Sequence, residues 1–169
     1  MKTNFVQYYV EGKDEVKLIN VLKSDLRTIK AGKVQQLNVI EQEIKLMHIR
    51  TLSPGTMVVL VFDTDTGSLG YLKKNIEMLK ACRAVSEIVL IPQVPNLEGE
   101  LVRSCNIKKI EELLNSQSKN EFKSEFIRIS NLAQKLQEHK FDMRVFWSSK
   151  PTGVYREIQN QSEKVKLAK

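Results

Sequence analysis

Cysteine is scarce in this chain, with two residues in 169, Cys82 and Cys105. Neither metal-ligand spacing nor a disulfide framework can be built from them. That fits a reducing compartment, the cytoplasm, and excludes a small secreted scaffold held by cross-links. The two histidines, His48 and His139, stand alone with no nucleophile pattern near either. No run of 18 apolar residues occurs, so no helix is expected to cross a membrane. The opening segment MKTNFVQYYVEG lacks the long apolar stretch and small-residue cleavage site of a signal peptide. Internal repeats and low-complexity segments are missing as well. What remains is material for one ordinary domain with a real core, 41% hydrophobic and 28% charged. Acidic residues are in deficit, 20 against 27 Lys and Arg, for a net charge of +7. This balance favours a polyanionic partner, nucleic acid first; it also serves solubility alone.

The stretch that organises the rest is residues 58–65, VVLVFDTD. An unbroken apolar, largely β-branched run reads as a buried strand. Side chains two apart on a strand share a face, so Asp63 and Asp65 are expected to project together where the strand emerges. Such carboxylates repel unless a cation lies between them, and hard oxygen ligands suit Mg²⁺ or Mn²⁺. Asp, Thr and Gly here also favour a plain strand-ending turn.

Residues 4–10, NFVQYYV, read as a first strand that stops at Glu11-Gly12, with a helix over 13–26. Residues 28–35 read as a connection, 37–40 as a second strand and 41–52 as a short helix. A helix is expected over 69–84, a strand over 87–92, and short helices over 97–105 and 107–114. Apolar spacing from Phe122 to Leu136 predicts one long helix over 121–139. Residues 141–147 read as a final strand. The domain is expected to span 1–148, and 149–169 to be a polar, flexible tail carrying Lys164, Lys166 and Lys169. Alternating strands and helices predict an α/β fold: a mainly parallel, Rossmann-like sheet flanked by helices, with a C-terminal helical extension. In such sheets the site opens at the carboxyl ends of the strands, where Glu11, Asp63, Asp65, Glu98 and Glu100 all fall.

A strand ending in EGKDE (11–15) and a later strand ending in DTD (63–65) resemble the Toprim domain. That small α/β module is shared by bacterial primases, type IA and II topoisomerases, recombination proteins and the overcoming-lysogenization-defect nucleases. The likeness covers roughly residues 4–95. It implies that Glu11 is a general acid or base, or a metal ligand in the nuclease branch, and that Asp63 and Asp65 hold Mg²⁺. It further implies Glu15 and Glu98 as metal ligands, with Glu98 fitting its place ahead of Glu100. A basic residue from a later helix, Lys119 or Lys123, would serve the phosphate. Lys13 is a candidate for touching nucleic acid, or a surface residue at a helix start. The implied activity is metal-dependent phosphodiester cleavage, by a nuclease or nickase. Most enzymes with this module embed it in a longer chain, so a non-catalytic binding module acting with a partner protein is a second reading. VFDTDTG also resembles the nucleophile motif of haloacid-dehalogenase-type phosphatases, which would leave EGKDE without a role.

Overall fold

The computed structural model describes residues 2–167. Four strands, β1 (Phe5–Val10), β2 (Lys33–Gln36), β3 (Thr56–Asp63) and β4 (Val85–Gln93), form one sheet in the order β2-β1-β3-β4. Every pair is parallel. Parallel neighbours need crossovers, and helices fill them. Between β1 and β2 lies α1 (Lys13–Asn20), running on into a π-helical turn, Val21–Asp25. The next crossovers carry α2 (Leu46–Arg50) and α3 (Gly70–Lys80). Beyond β4 follow α4 (Leu97–Ser104), a 3₁₀ turn (Ile110–Leu113), α5 (Lys119–Arg128) and α6 (Leu132–Glu138). The expected α/β, Rossmann-like architecture is therefore present. Among the described residues no helix is long and apolar enough to cross a membrane.

The sheet has apolar layers on both faces. Val59 and Val61 of β3 join Tyr8, Val10, Leu18, Leu101, Phe126 and Leu136 on one face. Val58, Leu60 and Phe62 join Tyr9, Leu72, Leu79 and Tyr155 on the other. A strand covered on both faces has no solvent side, which is why VVLVF runs without polar alternation. The same alternation puts Asp63 on the face of α1 as β3 leaves the core.

Several elements differ from the sequence expectation, each for a local reason. The second strand is the polar KVQQ at 33–36 and not residues 37–40. It is an exposed edge strand, and a lysine-bearing edge shows no apolar period. Leu37, Val39 and Ile40 are buried instead in a turn held by buried Asn75, which accepts the Ile44 N–H (2.7 Å) and donates to the carbonyls of Val39 and Gln42. Of 41–52, only Leu46–Arg50 is helical. Residues 121–139 are two helices. Their apolar faces enter one core cluster, so the spacing continues, but Ile129 is extended and Ser130-Asn131 separate them. The Lys17 ammonium takes the carbonyls of Ile127 and Ile129 at that break, where a cation complements a helix C-terminus. Residues 141–147 form turns and not a strand. Asp142 accepts the N–H of Arg144 two residues on (2.9 Å), a side-chain turn that competes with a ladder.

Residues 149–167 are not a flexible tail. Their polar composition hides a few anchors. Tyr155 is 1% exposed in the second core cluster, and its hydroxyl bonds the backbone N–H and C=O of Ser68. Gln161 covers the free edge of β4: its N–H donates to the Leu90 carbonyl, and its Oε1 accepts the Leu90 N–H, both at 2.9 Å. Val165 is fully buried, and Lys164 pairs with Glu87. Lys169 lies outside the described residues. Tyr155→Ala is expected to lower stability in urea unfolding by about 3–5 kcal/mol, the cost of emptying an aromatic core position. A loose segment would give a change within about 0.5 kcal/mol.

Candidate metal centre at the sheet edge

The site begins where β1 ends. Glu11 follows Val10 directly, and Gly12 is the N-cap of α1. Glu15, at the third helical position, reaches back so that its Oε2 accepts the Gly12 N–H at 3.1 Å. The backbone of Gly12 is extended, a conformation open to any residue, so no dihedral angle requires glycine there. A Cβ there would stand 3.0 Å from Asp14 Oδ1 and 3.2 Å from Glu15 Oε2. Glu11 is tied on both oxygens. Oε2 accepts the Asp63 N–H (3.0 Å) and Oε1 accepts from Asn38 Nδ2 (3.1 Å). Asp63, the last residue of β3, stands opposite Gln93, the last of β4. Gln93 Nε2 donates to Asp63 Oδ1 at 2.8 Å and to Glu15 Oε1 at 3.4 Å.

Three carboxylates thus converge. Glu11, Glu15 and Asp63 each offer an oxygen within 4.8 Å of the other two. Burial pushes all three pKa values above the ordinary carboxylate range. Hydrogen bonding with Asp63 partly offsets this at Glu11, Asp14 adds to it at Glu15, and the Glu11 charge adds to it at Asp63.

The remaining sequence candidates spread out from this group. Asp65 does not share it, because β3 ends at Asp63 and the chain bends away at once. It is exposed, and its Oδ2 accepts from Asn96 Nδ2 at 3.3 Å. Glu98, at the start of α4, is also outside the group and pairs with Lys123 at 3.7 Å. Glu100, the less favoured acid, is fully buried and structural. It accepts the N–H groups of Val94 (2.8 Å) and Trp147 (3.2 Å) and pairs with Arg103 at 2.9 Å.

Asp65 and Glu98 nevertheless line the same open cleft as the three converging acids, a space of about 1030 Å³. Arg103, Lys108, Lys109, Lys119 and Lys123 line it as well, as do the acids Asp14 and Glu111. Lys13, exposed at the first turn of α1, does not line it. The sequence reading missed Gln93, Asn38, Arg103, Lys108 and Lys109. Only the adjacent lysines in IKKIEE offered a visible signal. An amide that ends a buried strand does not stand out by composition.

Comparison with family models, curated proteins and solved structures finds no match to this chain.

The donor set fits a hard divalent cation. Metal–oxygen distances near 2.0–2.6 Å let one ion touch oxygens up to roughly 4–5 Å apart, which matches the 4.8 Å spread. The raised carboxyls keep their protons to higher pH in the folded chain than in the unfolded one. Stability from this source is full below the ordinary carboxylate range, near pH 4, and is lost as pH rises through the raised values. In chelator, the melting temperature is therefore expected to fall from about pH 5 towards alkaline pH, and Asp63→Asn should flatten that fall. Mg²⁺ or Mn²⁺ should restore stability most at the alkaline end in wild type, and little in Asp63→Asn. An equal metal-induced shift in both proteins would put the ion elsewhere.

Proposed function

We propose that this protein is a metal-dependent phosphodiesterase acting on nucleic acid, a nuclease or nickase of the Toprim kind. The carrying observation is the convergence of Glu11, Glu15 and Asp63 at one edge of a parallel sheet, in a cleft that four lysines also line. Glu11 and Glu15 come from EGKDE and Asp63 from DTD, the two motifs on which the resemblance rests. The same convergence favours this reading over a dehalogenase-type phosphatase, in which EGKDE has no part.

Glu11, Glu15 and Asp63 would hold Mg²⁺ or Mn²⁺, with Asp65 and Glu98 facing the same cleft for a further ligand or a second ion. The bound ion supplies a positive charge against the phosphate and lowers the pKa of water. The protein's own groups do the rest. Lys119 and Lys123 present point charges to phosphate oxygens. Lys123 is shared with Glu98, whereas Lys119 makes no ion pair among the described residues, so Lys119 is the freer of the two. Lys108 and Lys109 add positive charge to the same cleft, as tracking a sugar-phosphate backbone requires.

The test is a cleavage assay with Mn²⁺ or Mg²⁺ on single- and double-stranded DNA and RNA. Glu11→Gln is expected to cut turnover by about 10²-fold or more while changing nucleic-acid affinity only a few-fold, because its effect falls on charge that develops in the transition state. Lys119→Ala should cost more turnover than Lys123→Ala. Retained metal and nucleic-acid binding with no cleavage, alone or with a partner protein, would replace the enzyme with a binding module.

Binding has its own signature. Affinity should fall steeply with salt for every base sequence. Replacing Lys108 and Lys109 by alanine should reduce the slope of log K against log salt by about 2, one for each lost phosphate contact. An unchanged slope would remove these two lysines from the interface.

A further inference from the structure

Gln93 is fully buried at the end of β4, and its amide has its donor and acceptor sides in different company. The NH₂ group faces acids, Asp63 Oδ1 at 2.8 Å and Glu15 Oε1 at 3.4 Å. The carbonyl oxygen accepts the indole N–H of Trp147 at 3.2 Å. An indole nitrogen can only donate, so Trp147 admits only the oxygen on its side and commits the NH₂ to the carboxylates.

Trp147 is itself held from both sides. Its backbone N–H goes to Glu100 Oε1 (3.2 Å), and its carbonyl accepts from Asn160 Nδ2 (2.8 Å) and Ser162 Oγ (2.7 Å). A continuous chain of hydrogen bonds therefore runs from the C-terminal segment through Trp147 and Gln93 to the acid group.

We propose that Gln93 is a positioning residue that orients Asp63 and Glu15 for a divalent cation, and that Trp147 fixes Gln93 in the orientation that does so. This rests on the metal reading above. The bond from Gln93 to Oδ1 would hold the Asp63 carboxylate in one orientation towards the ion. Without the indole, the buried Gln93 oxygen has no partner and nothing selects the amide's rotamer.

Mn²⁺ affinity, measured by titration calorimetry on wild type, Gln93→Met, Trp147→Phe and the double variant, tests this. Circular dichroism first establishes that each is folded at the working temperature. Gln93→Met, similar in length and without polar atoms, is expected to weaken Mn²⁺ by about 10–100-fold, the usual cost of losing a partner that orients a metal ligand. Trp147→Phe should weaken it in the same direction. The double variant should be no worse than Gln93→Met, because both act through one contact. Affinity within twofold of wild type in Gln93→Met, or effects of the two changes that add, would overturn the relay; so would lower melting temperatures with unaltered Mn²⁺ affinity, the mark of a purely structural role. If wild type itself binds no Mn²⁺, the metal reading fails and the relay fails with it. Tight binding in wild type matched by Gln93→Met sinks the relay alone.

Discussion

The rest of the structure depends on keeping three carboxyl groups largely out of water where β1 and β3 leave the sheet. Like charges this close repel, and burial removes the solvation that would soften the repulsion. Two things offset the cost. The first is the strand beneath. Six apolar side chains, from Met57 to Phe62, are at most 3% exposed, and at about 1.5–3 kcal/mol each they contribute on the order of 10 kcal/mol. The second is a set of donors aimed at the acids: the backbone N–H groups of Asp63 and Gly12 and the side-chain amides of Asn38 and Gln93. Each neutral donor satisfies a lone pair without cancelling charge. The ensemble is thus kept folded with carboxyls that hold their protons to higher pH than usual, protons that a bound cation would displace.

This arrangement explains why so much of the chain lies outside the four-stranded sheet. Residues 97–167 supply the helices that cover one face, yet they also reach the site through two buried polar side chains. Glu100 ties the loop after β4 to the backbone of Trp147, and Trp147 in turn meets Gln93. Removing one partner from such a buried network leaves another unsatisfied, at roughly 1–3 kcal/mol for each orphaned group. The C-terminal segment is joined to the same network through Asn160 and Ser162, and it closes the β4 edge through Gln161. Fold and site therefore share supports.

What could be read from the sequence follows from which forces leave a periodic trace. The buried strands did, because burial on both faces selects unbroken apolar runs. So did Glu11 and Asp63, since acids directly after such runs have few reasons to be there, whereas Glu15 was legible only through the resemblance carried by EGKDE. Asp65 was misplaced by extending strand geometry two residues past the point where the chain bends. Edge strand β2 left no trace because its side chains face water. The break between α5 and α6 was masked by apolar spacing that persists across it. Gln93, Asn38 and Asn75 were illegible for a different reason: their roles come from partners 27 or more residues away, and a lone amide has no sequence pattern to declare it.

The charges that line the cleft also constrain one another. Four lysines and Arg103 share it with seven acids, Glu11, Asp14, Glu15, Asp63, Asp65, Glu98 and Glu111. Arg103 is paired with buried Glu100, and among the lining residues only Glu98 and Lys123 pair with each other, at 3.7 Å and with the lysine 59% exposed. A partly exposed pair of this kind is worth about 1 kcal/mol at most. Ion pairing throughout the cleft would neutralise both signs and leave neither for a ligand. On the proposed reading, a phosphate with a divalent ion would answer both at once, with the ion against Glu11, Glu15 and Asp63 and the phosphate oxygens towards Lys119. A free anion would meet repulsion from the acids, and a phosphodiester backbone would bring its anions in a row together with counter-cations.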